Sequence, residues 1–111
     1  GDSITHDGRY TEYMKLFAAT RFPVRAITLL NAGISGDSAA GGLRRYDWDI
    51  APAKADRATV MFGMNDVGRD NYRPGEATAE ILANRKASQD GFRENLTNLV
   101  ARLKSDGVRV T

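Results

Sequence analysis

The sequence predicts an α/β domain of three layers, with helices packed on both faces of a mostly parallel sheet. Two observations carry this. Apolar runs of strand length alternate with segments of helical period, and each complete run passes into a turn or loop rich in Gly, Ser or Asn. The 111 residues make one domain and leave no room for two.

The elements follow in order. From Tyr10 to about Thr20, Tyr13, Met14, Leu16 and Phe17 form the stripe of a short amphipathic helix. Phe22-Pro23 ends it, because Pro restricts the residue before it and supplies no N–H to continue the ladder. Val24 to Asn31 reads as a buried strand, and Ala32 to Asp37 as a turn rich in Gly and Ser. Asp37 or Ser38 caps a helix that reaches about Tyr46. Asp47 to Asp56 is a connection broken at Pro52. Ala58 to Gly63 reads as a second buried strand, followed by a long polar loop from Met64 to Gly75. Helix resumes from about Glu76, with a break expected near Ala83 to Ser88. Phe92, Leu96, Leu99, Val100 and Leu103 then share one face, and Gly107 is the stop. Val108 to Thr111 begins a further strand.

Composition narrows the function. Hydrophobic residues make up 41% and charged residues 27%, with 16 Lys and Arg against 14 Asp and Glu. The net charge is +2 and the signs are mixed along the chain, so nucleic acid and membrane surfaces have no electrostatic support as partners. No apolar stretch is long enough to span a bilayer. Without Cys there is neither a disulfide framework nor a thiolate zinc site, and the single His leaves no metal cluster. Asp47, Asp49 and Asp56 read as a solvated connection around Trp48. Asn95-Leu96-Thr97 is a glycosylation sequon set on a helix. No nucleotide-binding Gly-rich motif is present, and no cofactor is implied.

Three short segments combine the groups that acyl transfer needs. Gly1-Asp2-Ser3-Ile4-Thr5 offers a hydroxyl in a Gly-started turn. Gly36, in Asn31-Ala32-Gly33-Ile34-Ser35-Gly36-Asp37, has no Cβ to keep a substrate oxygen from its N–H. Asn65, in Gly63-Met64-Asn65-Asp66, carries an uncharged amide donor. Each segment alone reads as an ordinary turn. The Gly36 turn and the Asn65 loop both follow strands, so they are expected on one rim, where ligands of such sheets bind. A nucleophilic hydroxyl with convergent N–H donors is the arrangement that stabilises a tetrahedral oxyanion.

In this order the three segments resemble the first three blocks of the GDSL hydrolases, also called SGNH hydrolases, and the resemblance spans nearly the whole chain. It implies a flavodoxin-like α/β/α fold and ester hydrolysis through an acyl-enzyme. It makes Ser3 the nucleophile, and builds the oxyanion hole from the N–H groups of Ser3 and Gly36 and the side chain of Asn65. Asp66 would support its loop. Ser3 does not lie in the lipase elbow pattern, since Thr5 stands where that pattern has its second Gly.

The resemblance has two gaps. The family's fourth block, Asp-x-x-His, is not found, and no strand precedes Gly1, so the domain reads as cut at both ends with its base outside these residues. His6 fits a cleft-wall residue better than the base, and Arg69, Asn71 and Tyr72 are the expected substrate rim. That polar rim, with no apolar stretch for a long acyl chain, points to a short acyl group on a sugar. Rival readings are a binding module that keeps the cleft without the base, and a structural α/β fragment. Oligomeric state and compartment stay open, a secreted or periplasmic location included.

Overall fold

The computed structural model describes residues 1–75 and 77–111. Its helices are α1 (Ser3–Asp7), α2 (Arg9–Arg21), α3 (Ala39–Arg44) and α4 (Ala79–Ser105). Its strands are β1 (Arg57–Ala58) and β2 (Arg109–Val110).

Local chemistry explains most of the boundaries. The Asp2 carboxylate accepts from the Ile4 N–H and caps α1. Gly8, at φ +81°, closes α1 and opens α2. The second helix ends at Arg21, one residue before Phe22-Pro23, as the sequence predicts. Ser38 rather than Asp37 caps α3, its Oγ accepting from the Gly41 N–H. After α3, a single π-helical turn, Tyr46–Ile50, and a 3-10 turn, Ala51–Ala53, fill the expected connection. Thr78 caps α4 through the Ile81 N–H. Glu76, where that helix was expected to begin, lies outside the described residues. The break expected near Ala83 to Ser88 is absent: α4 runs unbroken for 27 residues. Ala83, Arg85, Lys86 and Ala87 favour helix there, and along α4 such residues outweigh the cost of Gly91, about 1 kcal/mol.

The end of α4 is closed by Gly107 at φ +80°. Its N–H reaches the Lys104 carbonyl, and the Val108 N–H reaches that of Leu103. This is the Schellman pattern, and Leu103 and Val108 are both buried beside it.

The sheet is small and parallel. Arg57 pairs with Arg109 and Ala58 with Val110. The ladder is held by Arg109 N–H to Asp56 O at 3.0 Å, Thr111 N–H to Ala58 O at 2.9 Å and Val60 N–H to Thr111 O at 2.9 Å. After Val60 no strand pairing continues among the described residues, so only the start of the expected strand Ala58 to Gly63 is realised.

Val24 to Asn31 differs more. The apolar run is there, yet no described strand lies beside it and it forms no ladder. Val24 is 96% exposed, and Ile27 and Leu30 are exposed too. The stripe on α2 is likewise open: Tyr13, Met14, Leu16 and Phe17 are exposed, and Tyr13, Met14 and Phe17, with Phe22, Ile27 and Leu29, border a shallow apolar groove. The chain extends 58 × 29 × 20 Å, with a radius of gyration of 16.8 Å. A compact domain of this length would have roughly 13 Å.

The core gathers where α3, α4 and the strands meet. Tyr46, Leu99, Leu103 and Val108 are buried there, packed against Leu43, Ile50, Val60, Phe62 and Val110. Tyr46 donates its hydroxyl to Asp106 at 2.7 Å, and the Arg102 guanidinium lies 4.4 Å from its ring centroid. A Cβ on Gly42 would stand 2.9 Å from the Phe62 ring, so this glycine lets α3 approach the residues after β1 closely.

Candidate active site

Ser3 is the first residue of α1 and is exposed. Among the described residues, neither its Oγ nor its N–H has a hydrogen-bond partner. The N–H is one of the donors that any helix start leaves free. Gly1 is required by packing: a Cβ there would lie 2.0 Å from Thr5 Oγ1.

The second segment is clipped onto the first. Ile34 N–H donates to Gly1 O at 3.1 Å. Asn31 Nδ2 donates to Thr5 O at 2.6 Å, while its Oδ1 accepts from Gly33 N–H at 2.9 Å. Gly33 lies so near α1 that a Cβ would stand 2.4 Å from the His6 nitrogen. His6 itself is exposed, its Nδ1 3.1 Å from Gly33 O. Gly36 takes φ +78°, a conformation that favours glycine, and is exposed. Its N–H has no acceptor among the described residues.

The third segment is tied to the second by two side chains. Asn65 Nδ2 donates to Asp37 O at 2.8 Å, and its Oδ1 accepts from Arg69 at 3.3 Å. These partners fix which way the amide faces, and leave one of its two N–H groups unengaged. Asp66 accepts from Ala39 N–H at 2.9 Å and Gly63 N–H at 3.0 Å, joining its loop to the start of α3. Asp66 is therefore committed to structure.

The rim residues divide. On the 3-10 turn Arg69–Tyr72, Arg69 reaches Asn65. Asn71 and Tyr72 are held against α4 instead: Arg85 donates to Asn71 O at 2.8 Å and stacks 4.6 Å from the Tyr72 ring centroid, and Gln89 donates to the Tyr72 hydroxyl. No hydrogen bond connects those two to Ser3 among the described residues. No group of three or more His, Asp or Glu suited to a metal occurs among the described residues, and no helix is long and apolar enough to cross a membrane.

Sequence reasoning missed Arg45. It is a buried cation at the end of α3, with Nε donating to the Asp37 carboxylate at 2.9 Å and Nη2 to Ala32 O at 2.7 Å. Its Nη1 pairs with Asp49. The signal available was an Arg eight residues after Asp37, one helix length beyond a cap.

Comparison with known proteins places the chain in a family. The sequence pattern of the "GDSL-like Lipase/Acylhydrolase family" matches residues 1–111. An acetylxylan esterase of Geobacillus stearothermophilus is 27% identical over 119 residues, covering 94% of this chain and 52% of that protein. The chain thus spans about half the length of this relative. A solved structure of a gut microbial diltiazem-metabolizing enzyme superposes with a TM-score of 0.83 at 32% identity, over 99% of this chain and 24% of that one.

Proposed function

The chain belongs to the GDSL-like lipase/acylhydrolase family, and on that premise we propose that it carries the nucleophile and oxyanion hole of a serine esterase acting on short acyl esters of carbohydrates. The observation that carries the reading is a set of unengaged donors: the N–H groups of Ser3 and Gly36 and the second N–H of Asn65 lie on three segments tied together by hydrogen bonds. Ser3 attacks the ester carbonyl, and those three donors receive the negative charge that develops on its oxygen. Collapse expels the alcohol and leaves an acyl-Ser3, which water hydrolyses. Of the expected rim, His6 and Arg69 border the substrate, while Asn71 and Tyr72, held against α4, would reach it only at its far end.

A His outside these 111 residues would serve as base, taking the Ser3 proton on attack and giving it to the departing alkoxide, then repeating the exchange with water. His6 is the one His of these residues, and its Nδ1 faces a carbonyl rather than an orienting acid. A short acyl group on a sugar fits the polar rim, and the acetylxylan esterase relative supports the same class. The full domain is a three-layer, flavodoxin-like α/β/α fold, in which further strands would cover Val24 to Asn31.

The test is hydrolysis of p-nitrophenyl acetate by the full-length protein beside Ser3→Ala. Turnover that disappears in Ser3→Ala is the expected result. A folded protein without turnover would favour a binding module, and turnover surviving in Ser3→Ala would remove Ser3 as nucleophile.

A further inference from the structure

The turn that presents Gly36 has little to hold it. Gly36 is exposed, and a Cβ added there would meet nothing within 4 Å. Packing does not set where its N–H points. Arg45 does touch both ends of the turn: Nη2 donates to Ala32 O and Nε to the Asp37 carboxylate. The Arg45 and Asp37 side chains are only 7% and 10% exposed, so this pair is shielded from water. Asp37 in turn presents its carbonyl to Asn65 Nδ2, while its carboxylate also accepts from Ser38 N–H at 2.9 Å. One guanidinium therefore stands behind both Gly36 and Asn65.

We infer that Arg45 is the positioning residue of the oxyanion hole, its planar fork clamping Ala32 and Asp37 so that the Gly36 and Asn65 donors converge. It acts through Asp37 and the turn backbone and does not touch substrate. The fork geometry matters because a lysine ammonium is a point charge that cannot reproduce directional bonds to acceptors at both ends of the turn. The role rests on the esterase reading for its effect on rate, while the positioning itself is readable without turnover.

The experiment compares Arg45→Lys and Arg45→Gln with the parent, all as full-length protein. Circular dichroism reports folding, and p-nitrophenyl acetate hydrolysis gives kcat and KM. NMR reports the Gly36 amide and the Asn65 side-chain amide. For folded Arg45→Lys, kcat is expected to fall tenfold or more with KM within twofold, and both amide signals shift. A residue that only stabilised the fold would leave kcat and those signals of the folded fraction unchanged. Retention of kcat within twofold, unmoved signals, or loss of fold in both variants would overturn the positioning role. If the parent shows no Ser3-dependent turnover, the esterase reading fails by itself, and the amide signals alone decide the role of Arg45.

Discussion

Removing the Asp66 carboxylate is expected to destabilise the fold as a core deletion would, although Asp66 is a loop residue. Its two oxygens accept from Ala39 N–H at 2.9 Å and Gly63 N–H at 3.0 Å. Ala39 is fully buried, so its amide cannot turn to bulk water when the carboxylate goes, and the half-buried Gly63 amide can do so only in part. An unsatisfied buried donor costs about 1–3 kcal/mol. Taking the upper range for Ala39 and the lower for Gly63 gives about 3–4 kcal/mol for Asp66→Ala. Asp66→Asn should lose about half as much, since one amide oxygen still accepts while its NH2 faces the other donor. Small domains hold about 5–15 kcal/mol in total, so the effect is large. Urea denaturation followed by circular dichroism measures it, and hydrogen exchange at the Ala39 amide should quicken in parallel. A loss within about 0.5 kcal/mol, typical of a surface substitution, would refute the bridging role.

Three further outcomes are expected. Asn65→Ala should lower kcat on p-nitrophenyl acetate by roughly 10²–10³-fold while the protein stays folded, as loss of one oxyanion donor does; an unchanged kcat would exclude Asn65 from the hole. Leu99→Ala, at a residue 1% exposed in the core, should cost about 2–5 kcal/mol in urea denaturation. Burial, and then its hydrogen bond to Asp106, push the Tyr46 phenol up from 10 to about 12. The fold thus favours the neutral phenol, so its contribution is complete below pH 10 and is lost as pH rises toward about 12. Thermal melts across that interval should decline more steeply for the parent than for Tyr46→Phe.

The legible parts of the sequence were those fixed locally. The end of α2 before Phe22-Pro23, a cap at Asp37 or Ser38 and the stop at Gly107 each depend on the local chemistry of one or two residues, and each is readable. Strands were read less well, because a strand exists only when another supplies its hydrogen bonds. Val24 to Asn31 has the apolar run but no described neighbour, whereas β1 and β2 pair across some fifty residues of chain. The exposed stripe of α2 fails for the same reason: periodicity states which face is apolar and not what lies against it. Within the site, the motif residues were visible from their types and order. Arg45 was not, since an Arg on a helix usually reads as solvated, and only the fold shows that it is buried behind the Gly36 turn.

The joints of the site explain this division. The three segments are bound to one another chiefly through backbone carbonyls: Gly1 O to Ile34, Thr5 O to Asn31, Gly33 O to His6, Ala32 O to Arg45 and Asp37 O to Asn65. A carbonyl belongs to every residue, so no sequence motif announces which one will be used. The hydroxyl at the centre of the proposed chemistry takes no part in these joints, since Ser3 Oγ has no hydrogen-bond partner among the described residues. Chemistry and scaffold are therefore separable at Ser3 and fused at Asn65. Replacing Ser3 removes the proposed nucleophile and disturbs no bond, while replacing Asn65 removes both an oxyanion donor and a tie between two segments. A Ser3 variant consequently reports on the reaction alone, and an Asn65 variant reports on it only when the fold is measured beside the rate.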